Sequence, residues 1–148
     1  MLSVVDEYTR ETHELHVDRH IGAKKVCEVM KQLISQHGAP RYIRSDNGPE
    51  FVANLMRDWL ENEGIKTLYI DPGSPWQNGY VESFHDKFRR ECLGREMFYT
   101  LSESRVVIAD WRQKFNRIRP HRSLGMQTPH EFASAQSKPS RPKVGKAA

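Results

Sequence analysis

Two carboxylates, Asp46 and Glu82, stand where chemistry is possible, with 35 residues between them. Asp46 closes a short strand-like run, and Glu82 falls about one turn into a helical pattern. A carboxylate just past the C-terminal end of a strand lies where α/β sheets place their ligands, and a second one, from a helix packed on that sheet, can converge on it. Such a pair could hold a divalent cation through oxygen ligands. In two-metal phosphoryl transfer the ions, about 4 Å apart, clamp the attacking and leaving oxygens of an in-line displacement. Each residue also has a plainer reading: Ser45-Asp46-Asn47-Gly48 is a turn signature, and Glu82 is an ordinary glutamate on the flank of a helix.

The elements that must position this pair follow from periodicity. Residues 2 to 8 and 12 to 18 are β-prone runs that predict a hairpin. From Ala23 to His37, Val26, Val29, Met30, Leu33 and Ile34 follow helical spacing, with Gly38 and Pro40 as the stop. Arg41 to Arg44 is a short strand, Glu50 to Glu63 a helix, and Ile65 to Ile70 another strand. Ser74-Pro75-Trp76-Gln77 has the form of a capping box with proline at the first helical position. The long helix after it should run to about Leu93, and Asn78-Gly79 can push its start past residue 79. Val81, Phe84, Phe88 and Cys92 form its buried stripe, bordered by Glu82, His85 and Arg89. A last helix, about Ser102 to Ile118, turns Val107, Ile108, Trp111 and Phe115 to one side. The chain beyond Pro120 reads as loop, and Gln136 to Ala148 as disordered. Strands alternate with helices, so the class is α/β.

Charge divides unevenly along the 148 residues: positions 1–84 hold 9 Lys/Arg against 13 Asp/Glu, and positions 85–148 hold 14 against 6. The basic second half suits a polyanion, although a solvated surface can carry the same excess. No apolar run is long enough for a membrane span and Met1 opens no signal peptide, so a cytoplasmic protein is expected. Cys27 and Cys92 sit in apolar helical patterns without zinc-ligand spacing and read as reduced core thiols.

Three motifs in order are more specific: Arg44-Ser45-Asp46-Asn47-Gly48-Pro49-Glu50-Phe51, Gly73 to Phe84 (Gly-Ser-Pro-Trp-Gln-Asn-Gly-Tyr-Val-Glu-Ser-Phe), and Asn116 to Leu124 (Asn-Arg-Ile-Arg-Pro-His-Arg-Ser-Leu). With the 35-residue interval, the chain resembles insertion-sequence transposases that carry a retroviral-integrase-type, Asp-Asp-35-Glu catalytic core. The resemblance implies a ribonuclease-H-like mixed sheet with helices on both faces, and metal-dependent DNA strand cleavage and joining at the ends of a bacterial mobile element. Asp46 matches the family's second metal-binding aspartate and Glu82 its catalytic glutamate, with two Mg²⁺ or Mn²⁺ ions in the complete site. The implied partners are element-end and target DNA, with a homo-oligomer or full-length transposase as the assembly. Lys87, Arg89, Arg90, Arg117, Arg119, His121 and Arg122 would meet phosphates, and His121 has a structural reading as well.

The family's first aspartate is the departure. It lies on the first strand in a Trp-x-x-Asp-x-Thr setting, and Leu2 to Arg10 resembles the strand after that one. Asp6 therefore matches a different aspartate. Residues 1–133 are expected to be a partial core lacking the first, central strand, followed by a basic tail over 134–148. Loss of a central strand leaves two strand pairs with unpaired facing edges, and a two-ion site without its bridging ligand. Asp6 could substitute only if the hairpin slid across, which would turn buried side chains outward. A non-catalytic DNA-binding or regulatory fragment that joins full-length transposase is the alternative, and no helix-turn-helix reading module is recognisable here.

Overall fold

A computed structural model describes residues 1–137. The strands form two separate pairs. β1 (Leu2–Val5) and β2 (Thr12–His16) are antiparallel, with Ser3 opposite Leu15 and a register shift between Val4 and Val5. β3 (Tyr42–Ser45) and β4 (Lys66–Tyr69) are parallel, with Ser45 opposite Tyr69. No ladder joins the pairs among the described residues.

Side-chain burial occupies two faces, and the first of them takes residues from both strand pairs. On one, α1 (Ala23–His37) and α3 (Asn54–Asn62) supply Val26, Met30, Leu33, Met56 and Leu60, which pack with Leu2 and Ile65 and are flanked by Val4 and Ile43. On the other, α4 (Gly79–Phe88) and α5 (Leu101–Arg117) supply Phe84, Phe88, Ile108 and Phe115 to a cluster with Leu15 and Cys92, flanked by Val5 and Val17. The alternation of Leu2 and Val4 against Val5 sends successive β1 side chains to opposite layers. Cys27 and Cys92 are both free and buried. Among the described residues no helix is long and apolar enough to cross a membrane.

Four local expectations are corrected. The helix expected over 50–63 is two: α2 (Pro49–Val52) and α3 are separated at Ala53, whose ψ of 141° is extended. Ser74 forms no cap; Gln77 bonds Asp71 instead, and Pro75–Asn78 is a 3₁₀ turn leading straight into α4 at Gly79. The stretch Arg89–Leu93 continues α4 as a π turn closed by Gly94 N–H donating to the Arg89 carbonyl at 2.7 Å, and this wider turn keeps Cys92 in line with Phe84 and Phe88. Val81 is only half-buried at the edge of that stripe.

The fourth correction lies after Pro120, where the sequence predicts a loop and the structure holds a helix, α6 (Pro129–Ser137). Its start carries a full capping box: Thr128 Oγ1 accepts from Glu131 N (3.2 Å) and Glu131 Oε2 accepts from Thr128 N (2.9 Å). The signal is legible in the sequence, since Thr128-Pro129-His130-Glu131 has the same form as Ser74-Pro75-Trp76-Gln77. Residues 134–137 of the expected tail belong to α6, and 138–148 lie outside the described residues. Thr128→Ala is expected to lower unfolding stability by about 1 kcal/mol, measured by urea titration; an unchanged midpoint would mean that packing of α6 against α5 alone holds the helix.

Candidate functional site

Asp46 follows β3 directly, and Glu82 lies in the first turn of α4; both are exposed. The strand end and the helix start are tied together. Arg44, two residues before Asp46, donates through Nη1 to the carbonyl of Gln77 in the 3₁₀ turn that leads into α4. Asn47 Nδ2 donates to the Ile70 carbonyl (3.3 Å), fastening the same loop to the end of β4. The sequence folds this way because Gly73, at φ 76°, reverses the chain after β4. Pro75 then fixes the first residue of the turn.

The Asp46 carboxylate is oriented by its own loop. Its Oδ1 accepts from Gly48 N at 2.9 Å. A Cβ on Gly48 would stand 2.9 Å from that oxygen and 3.0 Å from Glu50 Oε1, so a larger residue would push the carboxylate aside. Glu82 is steadied indirectly. One turn later on α4, the His85 ring bonds through Nε2 to Ser3 Oγ on β1 at 2.7 Å, which pins the helix to the hairpin. Burial, and then the neighbouring Arg89, hold the His85 pKa below its ordinary value. Nothing in the sequence signals this bond, and only the meeting of β1 with α4 reveals it.

Asp6 is committed elsewhere. Its Oδ1 accepts from Tyr8 N (2.8 Å) and Thr9 N (3.0 Å), capping the turn between β1 and β2. Its backbone closes that turn by accepting from Arg10 N, whose residue has φ 64°. Among the described residues no group of three or more His, Cys, Asp and Glu side chains stands together as a metal-binding set. The donors present therefore do not fit a site for two cations, which needs a further bridging ligand besides Asp46 and Glu82.

The basic residues separate into two kinds. Arg89, Arg90, Arg117 and Arg122 are exposed, and Lys87 is half-buried on the same helix as Glu82. Arg89 makes only a 3.5 Å contact with Asp86. Arg119 is engaged: it bonds and ion-pairs with Glu91, whose pKa that hydrogen bond lowers. His121 is a buried turn residue, 8% exposed, with its ring edge-on to Phe115 at 4.9 Å. Burial, then the nearby Lys87, Arg119 and Arg10, push its pKa down to about 4, so the ring is neutral at pH 7. Its backbone pairs with Gln127, and its buried Nε2 has no hydrogen-bond partner among the described residues.

Similarity to known proteins agrees with this architecture. Integrase core domain models match residues 1–75 and 63–129. An uncharacterized 39.2 kDa protein of insertion element IS476 from Xanthomonas euvesicatoria is 45% identical over 133 residues, which is 90% of this chain and 38% of that protein. An uncharacterized 31.7 kDa protein of insertion element IS407 from Burkholderia multivorans is 41% identical over 133 residues, covering 90% and 48% respectively. The chain thus spans less than half the length of either relative. The catalytic core domain of BIV integrase is similar in structure, with a TM-score of 0.67 at 23% identity, over 90% of this chain and 85% of that one. The fold is that of the ribonuclease-H-like integrase cores, and by both sequence matches the chain belongs to the integrase core domain family.

Proposed function

We propose that the chain is the C-terminal part of a bacterial insertion-sequence transposase core, acting in the cytoplasm on mobile-element and target DNA. Asp46 and Glu82 would supply two of its catalytic carboxylates. The observation that carries the reading is the tie between the end of β3 and the start of α4, through Arg44 and the Gln77 carbonyl, because it links the two elements that bear those carboxylates. Membership of the integrase core family supports DNA strand cleavage and joining as the overall activity. The shortage of a third ligand supports the view that this chain does not complete the site by itself. Its own residues bind and orient DNA, with Lys87, Arg89, Arg90, Arg117 and Arg122 offering positive charge to phosphates while the carboxylates face the strand to be processed. Such contacts set register without reading sequence. In a cell the complete site would belong to a longer polypeptide or to an assembly of copies.

The test is binding of duplex DNA across a salt series. Affinity is expected to be sequence-tolerant and to fall steeply with salt, with a log–log slope of about 0.9 for each phosphate neutralised. Arg117→Glu with Arg122→Glu should weaken binding uniformly across sequences and flatten the slope by about one unit for each phosphate no longer neutralised. Arg119 is left intact because reversing it would set two carboxylates face to face at Glu91. A slope unchanged in the double variant would move the binding surface off this face.

A further inference from the structure

Trp76 is 75% exposed, whereas Trp59 packs against the α1/α3 core and Trp111 against the α4/α5 core. Presenting an indole to water gives up the burial that usually makes tryptophan stabilising. The turn that presents it is nonetheless held firmly. Gln77 Oε1 accepts from Asp71 N (2.9 Å), Gln77 Nε2 donates to Asp71 Oδ2 (3.0 Å), Ser74 N donates to the Asp71 carbonyl (3.1 Å), and Arg44 holds the Gln77 carbonyl. The bracing holds the backbone that carries the ring, so little ordering of the loop is needed when something settles on it. Its immediate setting is polar: Asp71, Ser74, Gln77 and Asn78 share its loop. A lone flat ring in polar surroundings suits one flat partner and not a broad apolar protein face, which calls for a contiguous patch.

The turn also has a particular address. It joins β4 to α4, whose first turn carries Glu82, and it is tied to β3 immediately before Asp46. We infer that Trp76 is a stacking platform for an unpaired nucleobase of the DNA handled at the Asp46 and Glu82 site, an inference that rests on the DNA-processing reading above. An indole can cover the π-face of any base, so the stacking tolerates sequence. Bases inside a duplex already stack on their neighbours and offer only their edges, so the platform selects a base freed at a strand end. Trp76 would thereby hold a separated strand end beside the carboxylates.

The experiment compares binding of two fluorescently labelled oligonucleotide duplexes, one blunt and one with an unpaired 3′ overhang, to the unaltered chain, Trp76→Ala and Trp76→Phe. Trp76→Ala should lose on the order of tenfold in affinity for the overhang duplex while keeping its affinity for the blunt one, and Trp76→Phe should stay close to the unaltered chain. The overhang duplex should also quench part of the tryptophan emission of the unaltered chain, and that part should be missing in Trp76→Phe. Because the side chain is exposed, thermal unfolding of both variants should match the parent, which separates a loss of stacking from a loss of the fold. Equal affinities for all three proteins on the overhang duplex would overturn the inference and leave the DNA-binding reading standing. So would an equal loss on both duplexes. Failure of the unaltered chain to bind either duplex would overturn both.

Discussion

Joining of element-end DNA in Mg²⁺ or Mn²⁺ is expected from a polypeptide that adds an upstream strand bearing a third carboxylate, and not from the 148-residue chain alone. The reason is the donor count. Asp46 and Glu82 are two exposed carboxylates, Asp6 is spent on the turn at Tyr8 and Thr9, and no set of three ligands assembles among the described residues. The platform matters as much as the ligands, since among the described residues no ladder joins β1/β2 to β3/β4 and a site must be held to within about 0.5 Å to be productive. In the extended polypeptide, Asp46→Asn or Glu82→Gln should each lower the joining rate by on the order of a hundredfold or more, the scale of removing a several-kcal/mol stabilisation of the transition state. Joining by the unextended chain that is abolished by Asp6→Asn would reverse the alignment and make Asp6 the third ligand.

Phe84→Ala is expected to be the most damaging single change to stability, costing about 3–5 kcal/mol, enough to consume much of the stability of an ordinary domain. Phe84 is fully buried, and its ring meets Trp111 at 5.8 Å and Phe115 at 5.3 Å, both edge-on, with Phe88 at 6.4 Å on the next turn. It is the hub through which α4 is fixed to α5, and Leu15 of β2 belongs to the same cluster. Truncation leaves a cavity among aromatic rings that cannot collapse without moving a helix. Calorimetry or urea titration would read the loss. Phe132→Ala, a half-buried ring on α6 set edge-on to Tyr8, should cost far less; comparable losses for the two would show that the α4/α5 cluster is not the principal core of this half.

The local grammar of the chain is legible without coordinates. The stripe Phe84, Phe88 and Cys92 and the stripe Ile108, Trp111 and Phe115 recur at helical spacing, and both lie in or against one cluster because burying such a stripe is what stabilises a short helix in water. The hairpin, the turn at Asp46 and the placing of Asp46 and Glu82 on a strand end and a helix start follow likewise from turn residues and periodicity, which act within a few positions. Tertiary structure decided whatever depends on residues far apart in sequence. Ser3 meets His85, the Asn116 side chain closes two 2.8 Å bonds on the backbone of Thr12, and Glu91 captures Arg119. His121, a candidate cation beside arginines by sequence, is neutral because burial against Phe115 removes the water that its charged form needs. Asp6 is one of several carboxylates by type, and becomes a turn cap only because the backbone folds back so that two amide groups point at it. Residue type and spacing specify which groups are available; which are already engaged is decided by packing, since hydrogen bonds and desolvation depend on neighbours that periodicity cannot name.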